Sequence, residues 1–426
     1  MGIVWTYLKR VVVGILIFGG STYTANAEDL NLSVLIDEAL DNNPELQVLK
    51  HRWTAFETRV PQAGALDDPM FKFEASNLPL SSFDYNSTPM SGNQLSVSQM
   101  IPFPGTLAAK ERAARHASSS AEELYLDREG FIVNMVKQAY FSLSFLDQAI
   151  YVTQKNEVLL QDFVHIAQTK YSVGKGLQQD VLKAQVTLSS LRDRLINLKA
   201  MRRTAEARMN LVLNRLPQSL VGEPSDVLIS DFDLSVEAIQ QIALDNRPML
   251  KALDKTVQQW QATEEAAHRQ LWPNFTFNLG YRQRAYMAGD PVKGSDFISV
   301  GVGMNLPIFR GRKQHQKIAE AQANTHMATS QLESMRQNIL FQIQTLYLAI
   351  QQHQDEAKLF QTAILPQAEQ SLSSALAGYQ VDKVDFLTLL NNQVTLFNFE
   401  IDYYKHVTEH EKKLAELEAV TGKRLF

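Results

Sequence analysis

The stretch Gly378–Leu396, GYQVDKVDFLTLLNNQVTL, has a near-double upstream at Lys170–Leu188, KYSVGKGLQQDVLKAQVTL. Tyr171/Tyr379, Val173/Val381, Lys175/Lys383 and Gln185–Leu188/Gln393–Leu396 coincide at one constant offset. Each copy lies between two long helical patterns, so each reads as the hairpin at which a long helix turns back. Two such hairpins in one chain indicate a duplicated helical unit.

The helices that flank the hairpins are unusually long. From Thr106 to Ser172 there is no proline and a single glycine, Gly130, and helix formers dominate. At 1.5 Å per residue this makes a rod on the order of 100 Å, a coiled-coil element rather than a globular helix. Gln178–Leu216 follows as a helix with a mostly apolar stripe of Val181, Leu182, Gln185, Leu188, Leu191, Leu195 and Leu198. The second copy predicts a long helix from Gly311 to about Leu376 and a last one from Asp385 to about Thr421. Pro366 falls inside this copy, where Val158 stands in the first. It removes a backbone hydrogen bond and is expected to kink or loosen the helix.

Upstream of each long helix the programme also repeats. Leu32, Leu35, Ile36, Ala39 and Leu40 have helical spacing. Asn42-Asn43-Pro44 interrupts it, and a second helical run covers Glu45–Val60. The octet Ala39–Leu46, ALDNNPEL, returns as Ala243–Leu250, ALDNRPML. After each opening the period switches to two. Phe71 and Phe73 alternate with Lys72 and Glu74, and Leu95 and Val97 with Gln94, Ser96 and Ser98. Phe275, Phe277 and Leu279 alternate with Thr276, Asn278 and Gly280, and Ile298, Val300 and Val302 with Ser299, Gly301 and Gly303. The order is helix, two strands, two long helices, twice over. It divides the chain into a first repeat (28–216), a linker (217–230) and a second repeat (231–426).

Strands of about this length with one apolar and one polar face suit a transmembrane β-barrel. The ten residues Phe71, Phe73, Leu95, Val97, Phe275, Phe277, Leu279, Ile298, Val300 and Val302 are then the lipid-facing set. Four strands cannot stand alone in hydrocarbon, because unpaired edges are not tolerated there. Several chains must therefore share one barrel. Phe83, Tyr85, Trp272, Tyr286 and Phe297, near strand ends, are placed for interfacial belts.

Composition restricts the remaining classes. The 426 residues carry a formal charge of −5, which gives no reason to expect nucleic acid. The absence of cysteine removes disulfides, thiolate metal sites, a cysteine nucleophile and a lipid-anchored N-terminus. Lys9-Arg10, the apolar run Val11–Gly20 and Ala25-Asn26-Ala27 read as a signal peptide over 1–27, with Glu28 the first mature residue. The apolar run is shorter than the ~20 residues that span a bilayer. Acids and bases are scattered along helix faces and form no catalytic constellation, so no enzyme and no cofactor are expected. His406 and His410, one turn apart, are read as part of an exposed polar face near Glu409, Glu411 and Lys412 rather than as metal ligands. Met70, Met90, Met100, Met287 and Met304 cluster in the strand region and read as packing methionines rather than a soft-metal path.

The duplicated opening (A-L-x-x-N-P-x-L at Ala39–Leu46, with Arg247 before the proline in the copy at Ala243–Leu250), the hairpin Tyr171–Gln185 and the exit Pro102-Phe103-Pro104-Gly105 carry a resemblance to the TolC-like outer membrane efflux family over essentially all of the mature chain. Gln62–Pro69, Leu365–Glu369 and Asp385–Leu390 resemble its heavy-metal and cation-exporting branch. The resemblance implies a mainly α fold of two tandem repeats. It implies a homotrimer with a twelve-stranded barrel in outer-membrane lipid and an α-helical periplasmic tunnel. It also implies a periplasmic adaptor (membrane fusion) protein and an inner-membrane pump of the RND type as partners, and a gate at the hairpin tips. The gate residues are Gly174, Lys175, Asp180, Asp382, Lys383, Asp385, Thr388 and Asn391. Thr388 and Asn391 stand where some relatives place carboxylates, so Asp180, Asp382 and Asp385 are expected to give a weaker or displaced negative ring. Asp382 replaces a frequent glycine, and aspartate can hold the left-handed turn. Lys175 and Lys383 either pair with adaptor acids or keep the tips soluble. The function implied is a passive, gated conduit exporting metal cations or small toxic compounds from periplasm to exterior; the rival readings are a type I protein-secretion channel of the same fold and a periplasmic coiled-coil structural or adaptor protein.

Overall fold

The structure, a computed structural model, describes residues 30–85 and 88–425; the signal-peptide reading of 1–27 lies outside them. Helix α1 (Leu32–Asn42) begins where the Asn31 side chain accepts the Ser33 N–H, and α2 (Pro44–Gly64) where Asn43 accepts that of Glu45. Pro44 takes the first helical position, where a missing N–H does no harm. The second copy repeats this with α5 (Val236–Asn246) and α6 (Pro248–Arg269), but Arg247 provides no side-chain cap there.

Strands β1 (Met70–Ser76), β2 (Gly92–Ile101), β3 (Phe275–Gln283) and β4 (Phe297–Met304) form one antiparallel sheet in the order β1-β2-β3-β4. The β2–β3 pair joins the two repeats. Below the sheet run α3 (Thr106–Ser172), α4 (Gln178–Val212), α7 (Gln314–Leu359), α8 (Leu365–Gln380) and α9 (Phe386–Thr421). Helices α2, α3, α6 and α7 pack side by side in the same order as the strands they adjoin. Further along, α3 continues between α4 and α9, and α9 packs on α8.

Three cores hold these layers. One lies between the hairpins and includes Leu160, Phe163, Ala184, Leu191, Leu198, Phe386, Leu389 and Leu390. The second packs α1 on α3 and the end of α4, through Leu35, Leu46, Ile132, Val136 and Met209. The third packs α5 on α7 and the end of α9, through Ile239, Ile343, Ile350 and Leu417. The segment between the repeats is pinned rather than loose. Leu30 N–H donates to Glu223 O, Tyr140 Oη lies 2.9 Å from Ser225 Oγ, and Ser230 binds both carboxylate oxygens of Glu411.

The structure changes several expectations. The second long helix is not continuous. It opens into a π turn at Phe360–Ile364, where Leu365 N–H reaches back to Phe360 O, and Pro366 follows at once. The wider turn relieves the clash between the proline ring and the preceding turn. This helix starts at Gln314 rather than Gly311 and ends at Gln380 rather than Leu376, and α4 ends at Val212 rather than Leu216. In α4 the buried line is Ala184, Leu191 and Leu198, one residue per heptad, whereas Leu182 points outward. Phe297 registers with Arg282, on the polar side of the sheet, and lies beneath Arg284. It is therefore outside the apolar belt. Met70 and Met100 belong to the polar-side rows and Met304 to the apolar side, so they do not line one path.

Candidate functional site at the hairpin tips and the sheet

At the first tip, Val173 ends α3 and Gly174 follows with φ +73°. Lys175 N–H donates to Lys170 O at 2.8 Å, and Gly174 N–H to Tyr171 O at 3.0 Å. This is the Schellman closure, which satisfies two carbonyls that the helix end leaves open. Nothing crowds Gly174, so its role there is the positive φ alone. The second tip repeats the closure. Asp382 takes φ +59°, Lys383 N–H donates to Gly378 O at 2.8 Å, and Asp382 N–H to Tyr379 O at 3.3 Å. Aspartate thus holds the left-handed position without a glycine.

The three tip acids differ in surroundings. Asp385 is the N-cap of α9 and accepts from Thr388 N–H at 2.7 Å and Thr388 Oγ1 at 3.1 Å. Those hydrogen bonds hold its carboxyl below the usual aspartate range. Asp382 is also held below that range, first by its hydrogen bond from Lys170 and then by the charge of Lys170. Asp180 sits in the first turn of α4, where the helix dipole favours a negative charge. Thr388 and Asn391 are exposed along α9, and Lys175 and Lys383 are exposed at the two turns.

Lys170 was not singled out by the sequence. Its ammonium donates to Asp382 Oδ1 at 2.6 Å and Tyr379 O at 2.8 Å, and lies 4.0 Å from the Tyr379 ring centroid. One signal was present. The repeat aligns Lys170 with Gly378, which has no side chain, so only the first hairpin carries this arm. A Cβ at Gly378 would stand 2.6 Å from Val384 Cγ2, so that position leaves no room for one.

At the other end of the helices the sheet has two unlike faces. The register aligns Phe71 with Val97, Val97 with Leu279 and Leu279 with Val300. Phe73 aligns with Leu95, Phe277 with Val302, and Ile298 with Tyr281 beside Leu95. With Phe275 opposite Ile101, all ten apolar residues singled out above share one side. Most of that side is open in a single chain: Ile298 is 74% exposed and Val300 80%. The opposite rows hold Lys72, Ser96, Gly280 and Ser299, and Glu74, Gln94 and Arg282. The outer edges of β1 and β4 have no strand partner among the described residues. No helix among them is long and apolar enough to cross a membrane.

The histidines of α9 do not form an exposed polar face. His410 is fully buried, with Nδ1 3.1 Å from Glu411 Oε1. His406 turns the other way, toward His353 and Glu356 of α7.

A sheet with one apolar face, carried on paired long helices that turn back at capped tips, twice over, is the subunit architecture of a TolC-like outer membrane channel. The chain belongs to the outer membrane efflux protein family, whose model matches residues 35–215 and 239–423. It is a channel subunit and not an enzyme. It is 22% identical over 402 residues to the cobalt-zinc-cadmium resistance protein CzcC of Cupriavidus metallidurans, across 93% of this chain and 91% of that protein. Its fold matches the outer membrane protein VceC of Vibrio cholerae with TM-score 0.78 and 18% identity, over 92% of this chain and 96% of that one. It also matches the open-state MtrE outer membrane channel of Neisseria gonorrhoeae with TM-score 0.75 and 16% identity, over 99% and 98%.

Proposed function

We propose that three copies of this chain form a passive, gated conduit through the outer membrane, and that its cargo is divalent metal cations. The observation that carries this reading is the sheet register, which gathers the ten apolar residues on one face while leaving both edges unpaired. Three such sheets joined edge to edge give twelve strands and a closed wall with no free edge. The ten residues then face lipid, and the serine- and glycine-rich rows face a wet lumen.

Exposed apolar residues on the flanking helices support lateral assembly. Leu182, Val186 and Ile196 on α4 are open, as are Phe341 and Leu348 on α7. Neighbouring subunits would cover them and complete a helical tunnel in the periplasm. The tips, with Gly174, Lys175, Asp180, Asp382, Lys383, Asp385, Thr388 and Asn391, then lie at the periplasmic end. There they act as the gate and the docking point for an adaptor and an RND-type inner-membrane pump, which supplies the energy. The cation cargo is supported by the likeness to a cobalt-zinc-cadmium resistance protein along nearly the whole chain.

The deciding experiment is a deletion strain challenged with zinc, cobalt and cadmium salts, dyes and detergents, with its secreted proteins assayed in parallel. Metal sensitivity, restored by the cloned gene, is expected. Unchanged metal tolerance with loss of a secreted protein would favour polypeptide as cargo. A monomer recovered from the periplasmic fraction would overturn the conduit itself.

A further inference from the structure

We propose that His353, Glu356 and His406 form a binding site for a zinc-like divalent cation that staples α7 to α9 beside the π turn. The site lies away from both hairpin tips and from the sheet. It does not rest on what the channel exports.

The donors converge. His353 Nδ1 and His406 Nδ1 are 3.2 Å apart, Glu356 Oε2 is 3.2 Å from the first and 2.7 Å from the second. Metal bonds of about 2.0–2.1 Å in a tetrahedral site set their ligand atoms about 3.3 Å apart. The three atoms are therefore near that spacing already, and only the shortest edge must widen. Two imidazoles and one carboxylate leave a fourth position for water, and the set suits a borderline cation.

Without a cation, three close heteroatoms share one or two hydrogens. A neutral imidazole carries one N–H, and an ionised carboxylate only accepts. If both Nδ1 atoms bear hydrogen, both N–H groups crowd onto one oxygen, Glu356 Oε2. If only one does, a lone pair is left facing another acceptor. A bound cation satisfies all three atoms at once.

The surroundings favour binding. Gln352 Nε2 donates to Glu356 Oε1 at 3.0 Å, which orients the carboxylate and leaves Oε2 for the histidines. All three groups are half-buried. Phe360, the first residue of the π turn, covers His406 with ring centroids 5.4 Å apart. His353 and Glu356 lie one helical turn apart on α7, and His406 comes from α9. An ion here would lock the two helices together just before the π turn.

The test uses the full-length trimer in detergent, stripped of metal and titrated with Zn2+ alone in a calorimeter. One ion per chain is expected, with affinity reduced in H353Q, E356Q and H406Q by about tenfold or more, since loss of an outer-shell partner alone costs that much. H326Q, an exposed histidine on the same helix, should bind as wild type does. Binding that survives in the H353Q/H406Q double variant, or no saturable binding, would overturn the site. Co2+ bound to the unaltered protein is a second measurement that no folding defect can affect. Intense visible bands mean a four-coordinate site, and weak octahedral bands count against it. Hydrogen exchange at Phe360–Ile364 should slow with Zn2+ in wild type and not in H406Q; unchanged exchange in wild type would overturn the staple.

Discussion

Lys170 and Asp382 join the two hairpins of one chain, with Nζ 2.6 Å from Oδ1. The same ammonium holds the Tyr379 carbonyl at 2.8 Å and caps the Tyr379 ring. A single residue from the first repeat thus satisfies the C-terminal turn of the second. Its own side chain is 20% exposed while Asp382 is 65% exposed, so the anchor lies on the lysine side.

If this contact holds the tip shut, Lys170→Ala should raise channel conductance in planar bilayers more than Asp382→Ala does. The first change removes three interactions; the second removes an exposed ion pair, which contributes little on its own, and places alanine at φ +59°. A few-fold rise is expected for D382A. The exchange K170D/D382K should restore part of the charge pair but not the bond to the Tyr379 carbonyl. Equal conductance in K170A and wild type would show that the tether does not gate.

The bridge also has a defined response to pH. The Asp382 carboxyl is held below its ordinary value in the folded protein, so the bridge is fully present above the usual aspartate range. It weakens as pH falls through the lowered value. Conductance should therefore be flat between about pH 7 and pH 5 and rise only in strong acid, below the usual carboxylate range. Asp382→Asn should remove the share of that acid limb due to the bridge. A rise near neutral pH in wild type would place the responsive group elsewhere.

Pro366 supplies no N–H for the helix it interrupts, and the π turn before it accommodates the ring. Pro366→Ala restores that donor. Amides of Phe360–Ile364 should then exchange more slowly and the melting temperature should rise. Exchange as fast as in wild type would mean that the π turn has another cause.

The sheet prediction compares two neighbouring positions on β4. Val300→Arg places a charge on the apolar face, at a cost of about 2–4 kcal/mol if that face meets the middle of the bilayer. The yield of folded trimer in outer membranes should fall sharply. Ser299→Arg points to the other side and should assemble while changing conductance. Similar yields for the two variants would mean that neither face meets lipid.

Much of this protein is legible in its sequence. The doubled hairpins, the paired openings and the switch from helical to alternating spacing gave the element order, because each of these is a local property of the chain. Alternation also assigned each strand residue to a side, and the register kept the ten apolar ones together. Local signals failed where a partner lies far along the chain. The pairing of β2 with β3, Lys170 with Asp382, and His353 and Glu356 with His406 all depend on which faces of very long helices meet. A helical period says that a face exists, but not what it packs against. The spacing of His406 and His410 suggested one exposed face, yet α9 is enclosed by α3 on one side and α7 on another, so one histidine is buried and the other turned to a second helix. Periodicity along the chain determined the elements. Long-range packing, which brings distant segments together to bury apolar surface and satisfy charge, decided the contacts.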